Sequence, residues 1–354
     1  MKINFIALFV AIIAAIAWEA DAQFNYVTNN GAITITLYTG SGGAVVIPGT
    51  INNRQVTTIG DGIHSVFAYT SVSSVTVTNN VTLIQTNAFQ MASSITNVIM
   101  GTNVTTIGNG AFFYCNGLTS VKIPSSVTNL GIWAFENCNN LNSVIISNGP
   151  TSIAQGAFED CPNLTNVAIP NSVTNIGELA FGNDTSLTNI KLPNSLTIIG
   201  QFAFGSCDLT NLTIPASVTS IGSDAFSEVF SPASAFYFAG NEPSGDSTIF
   251  SGDNGNVYYL PGATGWGKTF GGLFTVLWNP QPQTSGASFG IHSNQFGFNI
   301  TGPTNIVLTV DACTNLANPI WQAVQTITLN GGSYYFSDSQ WTNYHVRFYR
   351  LRSP

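Results

Sequence analysis

One phenylalanine recurs along the middle of this chain at a nearly constant interval. Phe67, Phe89, Phe112, Phe135, Phe158, Phe181, Phe204 and Phe226 are separated by 22, 23, 23, 23, 23, 23 and 22 residues. Three apolar columns keep step with it. Leu118, Leu141, Leu164, Leu187 and Leu209 form the first; Val121, Val144, Val167, Ile190 and Leu212 the second; Ile123, Ile146, Ile169, Leu192 and Ile214 the third. A fixed period of roughly 20–29 residues marks a solenoid, because one such unit cannot close a core and must cover its apolar edge with the next. The last two apolar positions of each unit lie two residues apart, the period of a strand. Neighbouring units can therefore stack these strands in parallel, about 4.8 Å apart.

The remaining fixed positions have expected roles. Pro124, Pro170, Pro193 and Pro215 follow the strand and end its pairing, since proline has no N–H. Gly108, Gly131, Gly177, Gly200 and Gly222 are expected to make a tight corner with positive φ. The Ala-Phe pair reads as a short helical turn, with Ala allowing close approach and Phe filling the interior. Cys115, Cys138, Cys161 and Cys207 share a column that Ala92, Asp184 and Val229 complete, so the position asks for a small or medium filler. Zinc needs local Cys or His spacing that is absent here, and ladder side chains point one way, which disfavours disulfide geometry. Buried free thiols are expected for most of the five cysteines.

The string Ile-Gly-x-x-Ala-Phe-x-x-Cys-x-x-Leu-x-x-Val-x-Ile-Pro resembles the BspA-like leucine-rich repeat family of secreted and surface proteins. The resemblance runs from about Val45 to Phe230, over half of the chain. It departs between Ile59 and Phe67, where three residues are added and Val66 stands for Ala. It departs again at "ISNGPTSIAQGAF", where Ser147 stands for Pro and Ala154 for Gly. Both slips should bulge single rungs without breaking the stack. The expected fold is mainly β with short helical turns: a leucine-rich-repeat solenoid with a period of about 23, plus a small C-terminal all-β module.

The flanks divide the rest. Lys2 precedes an apolar run of fourteen residues from Phe5 to Trp18, short for a membrane span of about 20, and Ala20-Asp21-Ala22 has the form of a cleavage site. Residues 1–22 are thus expected to be a signal peptide cut between Ala22 and Gln23. Residues 23–55 read as an N-terminal cap with a β-hairpin turning at Asn29-Asn30-Gly31. Repeats follow over 56–231, degenerate rungs over 232–280, a linker over 281–288, and a β-sandwich-like module of five short strands over 289–354. Arg347, Arg350 and Arg352 near the C-terminus read as a solvated strand end, or as a contact with the cell envelope or its secretion machinery.

Composition narrows the function. A net charge of −8 with only 7% charged residues offers no basic patch, so no nucleic-acid partner is expected. His64, His292 and His345 fall in no catalytic motif, and the adjacent acids Glu159 and Asp160 sit in a turn where acids are commonly solvated. No catalytic, cofactor-binding or metal residue is expected. What remains is the outward side of the stacked strands, a concave strip about 30 Å long. Its candidates are Asn97, Ser120, Lys122, Ser143, Asn166, Asn189, Lys191, Asn211 and Thr213. The reading is a secreted or cell-surface, non-catalytic binding or adhesion module for an extracellular protein or glycan. The alternative is an envelope spacer whose C-terminal module mediates secretion or attachment.

Overall fold

The computed structural model describes residues 23–229, 235–304 and 306–353. The expected signal segment 1–22 lies outside the described residues. The repeat forms a parallel solenoid. Strands Gly43–Val46, Val72–Thr76, Asn97–Ile99, Ser120–Ile123, Ser143–Ile146 and Asn166–Ala168 build one six-stranded sheet in chain order. Its register advances by one repeat per strand, with Ser120 beside Ser143 and Val121 beside Val144. Val121 and Ile123 face inward while Ser120 and Lys122 face solvent, as a two-residue period requires. The strand stops before Pro124, whose carbonyl accepts the Val127 N–H at 3.1 Å. The same turn recurs at Pro170, Pro193 and Pro215.

A second ladder of two-residue strands runs along another side, through Leu83–Ile84, Thr106–Ile107 and Asn129–Leu130. The expected corner glycines precede the Phe turn here, but for a different reason than positive φ. Among Gly108, Gly131, Gly177, Gly200 and Gly222, none has a left-handed φ. They are glycines because stacked backbones touch. A Cβ on Gly131 would meet the Gly108 carbonyl carbon at 2.4 Å, and one on Gly200 would meet the Glu178 nitrogen at 2.6 Å. Ala154 does carry a Cβ at this position, and the short ladder is interrupted there. Asn129–Leu130 ends one sheet and Ser152–Ile153 begins another. The Phe column passes through unbroken, with Phe135 and Phe158 stacked at 5.4 Å.

The Phe segment is not a helical turn. Around Phe112, the N–H groups of Gly110, Phe112 and Tyr114 donate to carbonyls of the next rung (Ile132, Ala134 and Glu136) at 2.9, 2.7 and 3.0 Å. The N–H groups of Ala111, Phe113 and Cys115 turn back to Gly108, Gly110 and Phe112 in their own rung. A helix would direct every N–H within its own rung; the alternation ties each rung to its neighbour and still pairs the backbone. It places left-handed residues two before and two after each Phe from Phe89 to Phe226, such as Gly110 (φ 56°) and Tyr114 (φ 59°). The only helical element among the described residues is a 3-10 turn at Trp341–Asn343. Cys115, Cys138, Cys161 and Cys207 are buried and unbridged, and each thiol donates to the carbonyl of a Phe 26 residues earlier.

Both ends are covered. Phe24–Asn29 and Ala32–Tyr38 pair as an antiparallel hairpin, with Asn30 (φ 50°) and Gly31 (φ 83°) in its two-residue turn. Tyr38 closes the Phe column against Phe67 at 5.5 Å. At the other end, Ala235–Phe238, Asn256–Tyr259 and Leu273–Leu277 continue the parallel stack after Asn211–Ile214. Phe250 extends the ring column beyond Phe226, at 5.6 Å.

The C-terminal strands form two antiparallel sheets. One centres on Gln295–Thr301, the other on Val307–Cys313. They share a core with the last rungs, since Ala235, Tyr237 and Tyr258 pack with Phe298, Leu308 and Phe336. The Tyr237 hydroxyl accepts the Val307 N–H at 3.0 Å. Within the expected linker, Gln281–Pro282 pairs with Ile300–Thr301. Arg350 and Arg352 are exposed on the last strand, as a solvated strand end would be, but all three arginines are paired with acids. Arg350 and Arg352 both reach Asp311 Oδ2 at 2.9 Å, and Arg347 reaches Asp338 at 3.1 Å. Burial opposes ionisation of Asp311, but hydrogen bonds from Arg352 and Arg350 outweigh it and hold its carboxyl below the usual range.

Candidate functional site

The outward residues of the long strands fall into two straight columns, because parallel pairing places equivalent positions side by side. Ser74, Asn97, Ser120, Ser143 and Asn166 are direct neighbours in one. In the other, Lys122 lies beside Ile145, Ile145 beside Ala168, and Ala168 bridges to Lys191. Asn97, Ile99, Ser120, Lys122, Ser143 and Ile145 line one cleft of about 520 Å³. Small hydroxyls and amides alternate there with two exposed isoleucines, Ile99 and Ile145. Lys122 and Lys191 supply the only cationic groups of the strip.

The strip does not run the whole stack. Asn189 is exposed but stands outside the strand ladder. The unit that follows has one residue fewer between Cys207 and its Leu, and Asn211–Ile214 pairs onward into a separate five-stranded sheet. Asn211 and Thr213 are half-buried. Their register neighbours Ala235 and Tyr237 lie beneath the C-terminal sheets. The structure therefore gathers Asn97, Ser120, Lys122 and Ser143, continues to Asn166 and Lys191, and separates Asn211 and Thr213 from them.

The turn side carries features that residue spacing did not single out. Glu136 and Glu159 each follow a core Phe and are half-buried on adjacent rungs. Burial pushes the Glu159 carboxyl up to about 7, and the charges of Glu136, Asp160 and Glu178 add to it. Burial, with the charge of Asp160, also raises Glu136. This corrects the expectation that Glu159 is a solvated turn acid. Asp184, in the cysteine column, is fully buried. Its Oδ1 accepts the Cys161 N–H at 2.8 Å, and its Oδ2 has no hydrogen-bond partner among the described residues. His64 lies at the surface against Asp61, at 3.0 Å. Among the described residues no three His, Cys, Asp or Glu side chains converge as metal ligands would. No helix among them is long and apolar enough to cross a membrane.

The family model for BspA type leucine-rich repeat regions matches residues 57–186 and 105–233, in six copies. Among solved structures, the chain is similar to a leucine-rich repeat protein from Bacteroides ovatus, at 22% identity and a TM-score of 0.47 over 67% of this chain and 70% of that one. It is similar to the T. pallidum leucine rich repeat protein at 25% identity and a TM-score of 0.38, over 47% of this chain and 88% of that one. A leucine rich cell surface protein from Faecalibacterium prausnitzii shows 20% identity and a TM-score of 0.33, over 67% of this chain and 93% of that one. No curated protein matches.

Proposed function

The chain belongs to the BspA-type leucine-rich repeat family, and from that premise we propose that it is an exported, surface-associated, non-catalytic binding protein for an extracellular protein or glycan. The observation that carries this reading is the open strand strip from Asn97 to Lys191. It aligns polar side chains at fixed spacing on a rigid ladder and leaves them exposed. A periodic surface of this kind suits an extended ligand, since successive rungs can repeat one contact. Export is supported by the leader-like residues 1–22, with processing between Ala22 and Gln23.

The test is a pull-down and glycan-binding screen with the chain beginning at Gln23, set against a variant carrying Lys122→Ala, Asn166→Ala and Lys191→Ala. Loss of a captured ligand in the variant, with an unchanged melting temperature, supports the strand strip. Capture that persists in the variant removes the strip from the account. It would favour the alternative of a spacer whose C-terminal sheets make the working contact.

A further inference from the structure

The geometry points to a second binding site, on the turn side of the stack: a cleft beside Trp133 that takes an uncharged saccharide. It lies apart from the strand strip and does not depend on the strip being a binding surface.

The position two residues before each core Phe from Phe89 to Phe226 reads Asn87, Gly110, Trp133, Gly156, Leu179, Phe202 and Asp224. All seven have a left-handed φ, between 52° and 60°. The backbone is the same in these seven rungs, so only the side chain varies. Trp133 stands between two glycines. On one side the Cδ1–Nε1 edge of its indole reaches over Gly156. A Cβ built there would meet Trp133 Cδ1 at 2.2 Å, Trp133 Nε1 at 2.6 Å and Glu159 Oε2 at 2.8 Å. The indole and the carboxylate thus converge over the same missing side chain. On the other side, the gap left at Gly110 is bordered by Asn87, whose Oδ1 would lie 2.9 Å from a Cβ built there, and both residues line a cleft of about 660 Å³. Trp133 remains 45% exposed, so its ring adds little to the core while occupying a conformation that costs a non-glycine residue about 1–2 kcal/mol.

The walls match a sugar ring. A pyranose offers one face of C–H bonds and a rim of hydroxyls that both donate and accept. The electron-rich face of Trp133 receives the C–H bonds. Around it the cleft presents the amides of Asn87, Gln90 and Gln155 and the carboxyls of Glu136 and Glu159. The Gln90 and Gln155 side chains make no hydrogen bond to any described residue. With its carboxyl raised to about 7, Glu159 can donate as well as accept near neutral pH. Among the described residues no Lys, Arg or His lines the cleft, so a sialylated, sulfated or phosphorylated ligand would bring its charge against two carboxyls without compensation. A simple alkylammonium could use the indole and the carboxyls, but would leave the amides unmatched. The volume suits two or three sugar rings.

The test uses the chain beginning at Gln23 and the β-1,4-linked hexasaccharides of glucose, N-acetylglucosamine and mannose, with sialyllactose and choline as comparison probes. Tryptophan fluorescence and calorimetry are the readouts. At least one neutral hexasaccharide should bind with a Kd of about 1 mM or tighter and perturb the fluorescence. Two variants borrow residues that this column already accepts. Trp133→Leu, following Leu179, should weaken binding at least about tenfold, and Gly110→Asn, following Asn87, should fill the gap with a similar loss. Lys122→Ala with Asn166→Ala should leave this binding unchanged, which separates it from the strand strip. The proposal is overturned if no neutral hexasaccharide binds at about 5 mM, if both Trp133→Leu and Gly110→Asn stay within about twofold of the parent, or if choline or sialyllactose alone binds.

Discussion

The ring of Phe112 lies flat on the ring of Phe135, with centroids 4.8 Å apart and planes 2° from parallel. That spacing is the rise of a parallel β-ladder. The side-chain column and the backbone ladder therefore advance together, and one continuous apolar interior runs from Phe67 to Phe250.

Phe135→Ala should open a large cavity, because Phe135 is fully buried and its neighbours Phe112 and Phe158 cannot close the gap without separating the rungs. The expected loss is about 3–5 kcal/mol. Denaturant unfolding followed by circular dichroism checks it. Because rungs interact with nearest neighbours only, the transition should also broaden as the two halves uncouple.

Gly131→Ala should destabilise by about 1–3 kcal/mol through overpacking. Gly131 has no left-handed φ, so the cost comes from the added Cβ, which would meet the Gly108 carbonyl carbon at 2.4 Å and the Asn109 nitrogen at 2.5 Å. Ala154→Gly should not cost stability in the same way, since that rung has already given up its short ladder to Leu130. A stability comparison of the two single variants decides between contact and conformation as the cause.

Asp184 makes stability fall as pH rises. Burial, first, raises its carboxyl well above the usual range; the Cys161 N–H opposes this, and the charges of Asp160 and Glu159 add to it. The folded state therefore holds the proton more tightly than the unfolded chain. The contribution is complete below the ordinary carboxylate value of 3.8 and is lost as pH climbs towards the folded value. Glu159 adds a second component, lost between 4.5 and about 7. Asp184→Asn keeps an acceptor for Cys161 and should stabilise the chain at neutral pH by about 1–3 kcal/mol. Urea midpoints measured from pH 4 to 8 should be flatter in Asp184→Asn, and flatter again with Glu159→Gln added; an unchanged slope would contradict the assignment.

The thiols should be inert in the folded protein. Burial raises Cys115 to about 12 and lifts Cys138, Cys161 and Cys207 well above the ordinary thiol value, so little thiolate forms at neutral pH. A disulfide-exchange reagent should titrate none of the five cysteines quickly in buffer and all five in denaturant. Cys138→Ala should cost only about 1 kcal/mol, because Ala92 already fills the same column.

The repeat was legible because its physics is local and periodic. A Val-x-Ile strand, a following Pro and a large filler every 23 residues leave one stacking solution, and Phe135, Val121 and Pro124 stand where that spacing puts them. Two local expectations failed at particular residues. Gly131 is a contact glycine, which shows only once two rungs are superposed. The Ala-Phe segment alternates its hydrogen bonds between rungs, and residues such as Leu179 and Phe202 accept a left-handed φ that their own preferences would not suggest. The end of the ring column at Phe250 was hidden by an interval of 24 residues and by the absence of Ala before it.

By itself the sequence determined the stack, its strand face and the Phe axis, since each follows from which residues recur at one arc position. Only the tertiary structure decided what meets across rungs and across modules. Trp133 lies over Gly156, Glu136 is set near Glu159, and the C-terminal sheets cover Tyr237 while Arg350 and Arg352 pair with Asp311. Trp133 and Gly156, like Glu136 and Glu159, are one repeat apart, so the period sets them side by side but does not say that their side chains meet; Asp311 lies 39 and 41 residues from its two arginines, a separation with no period behind it.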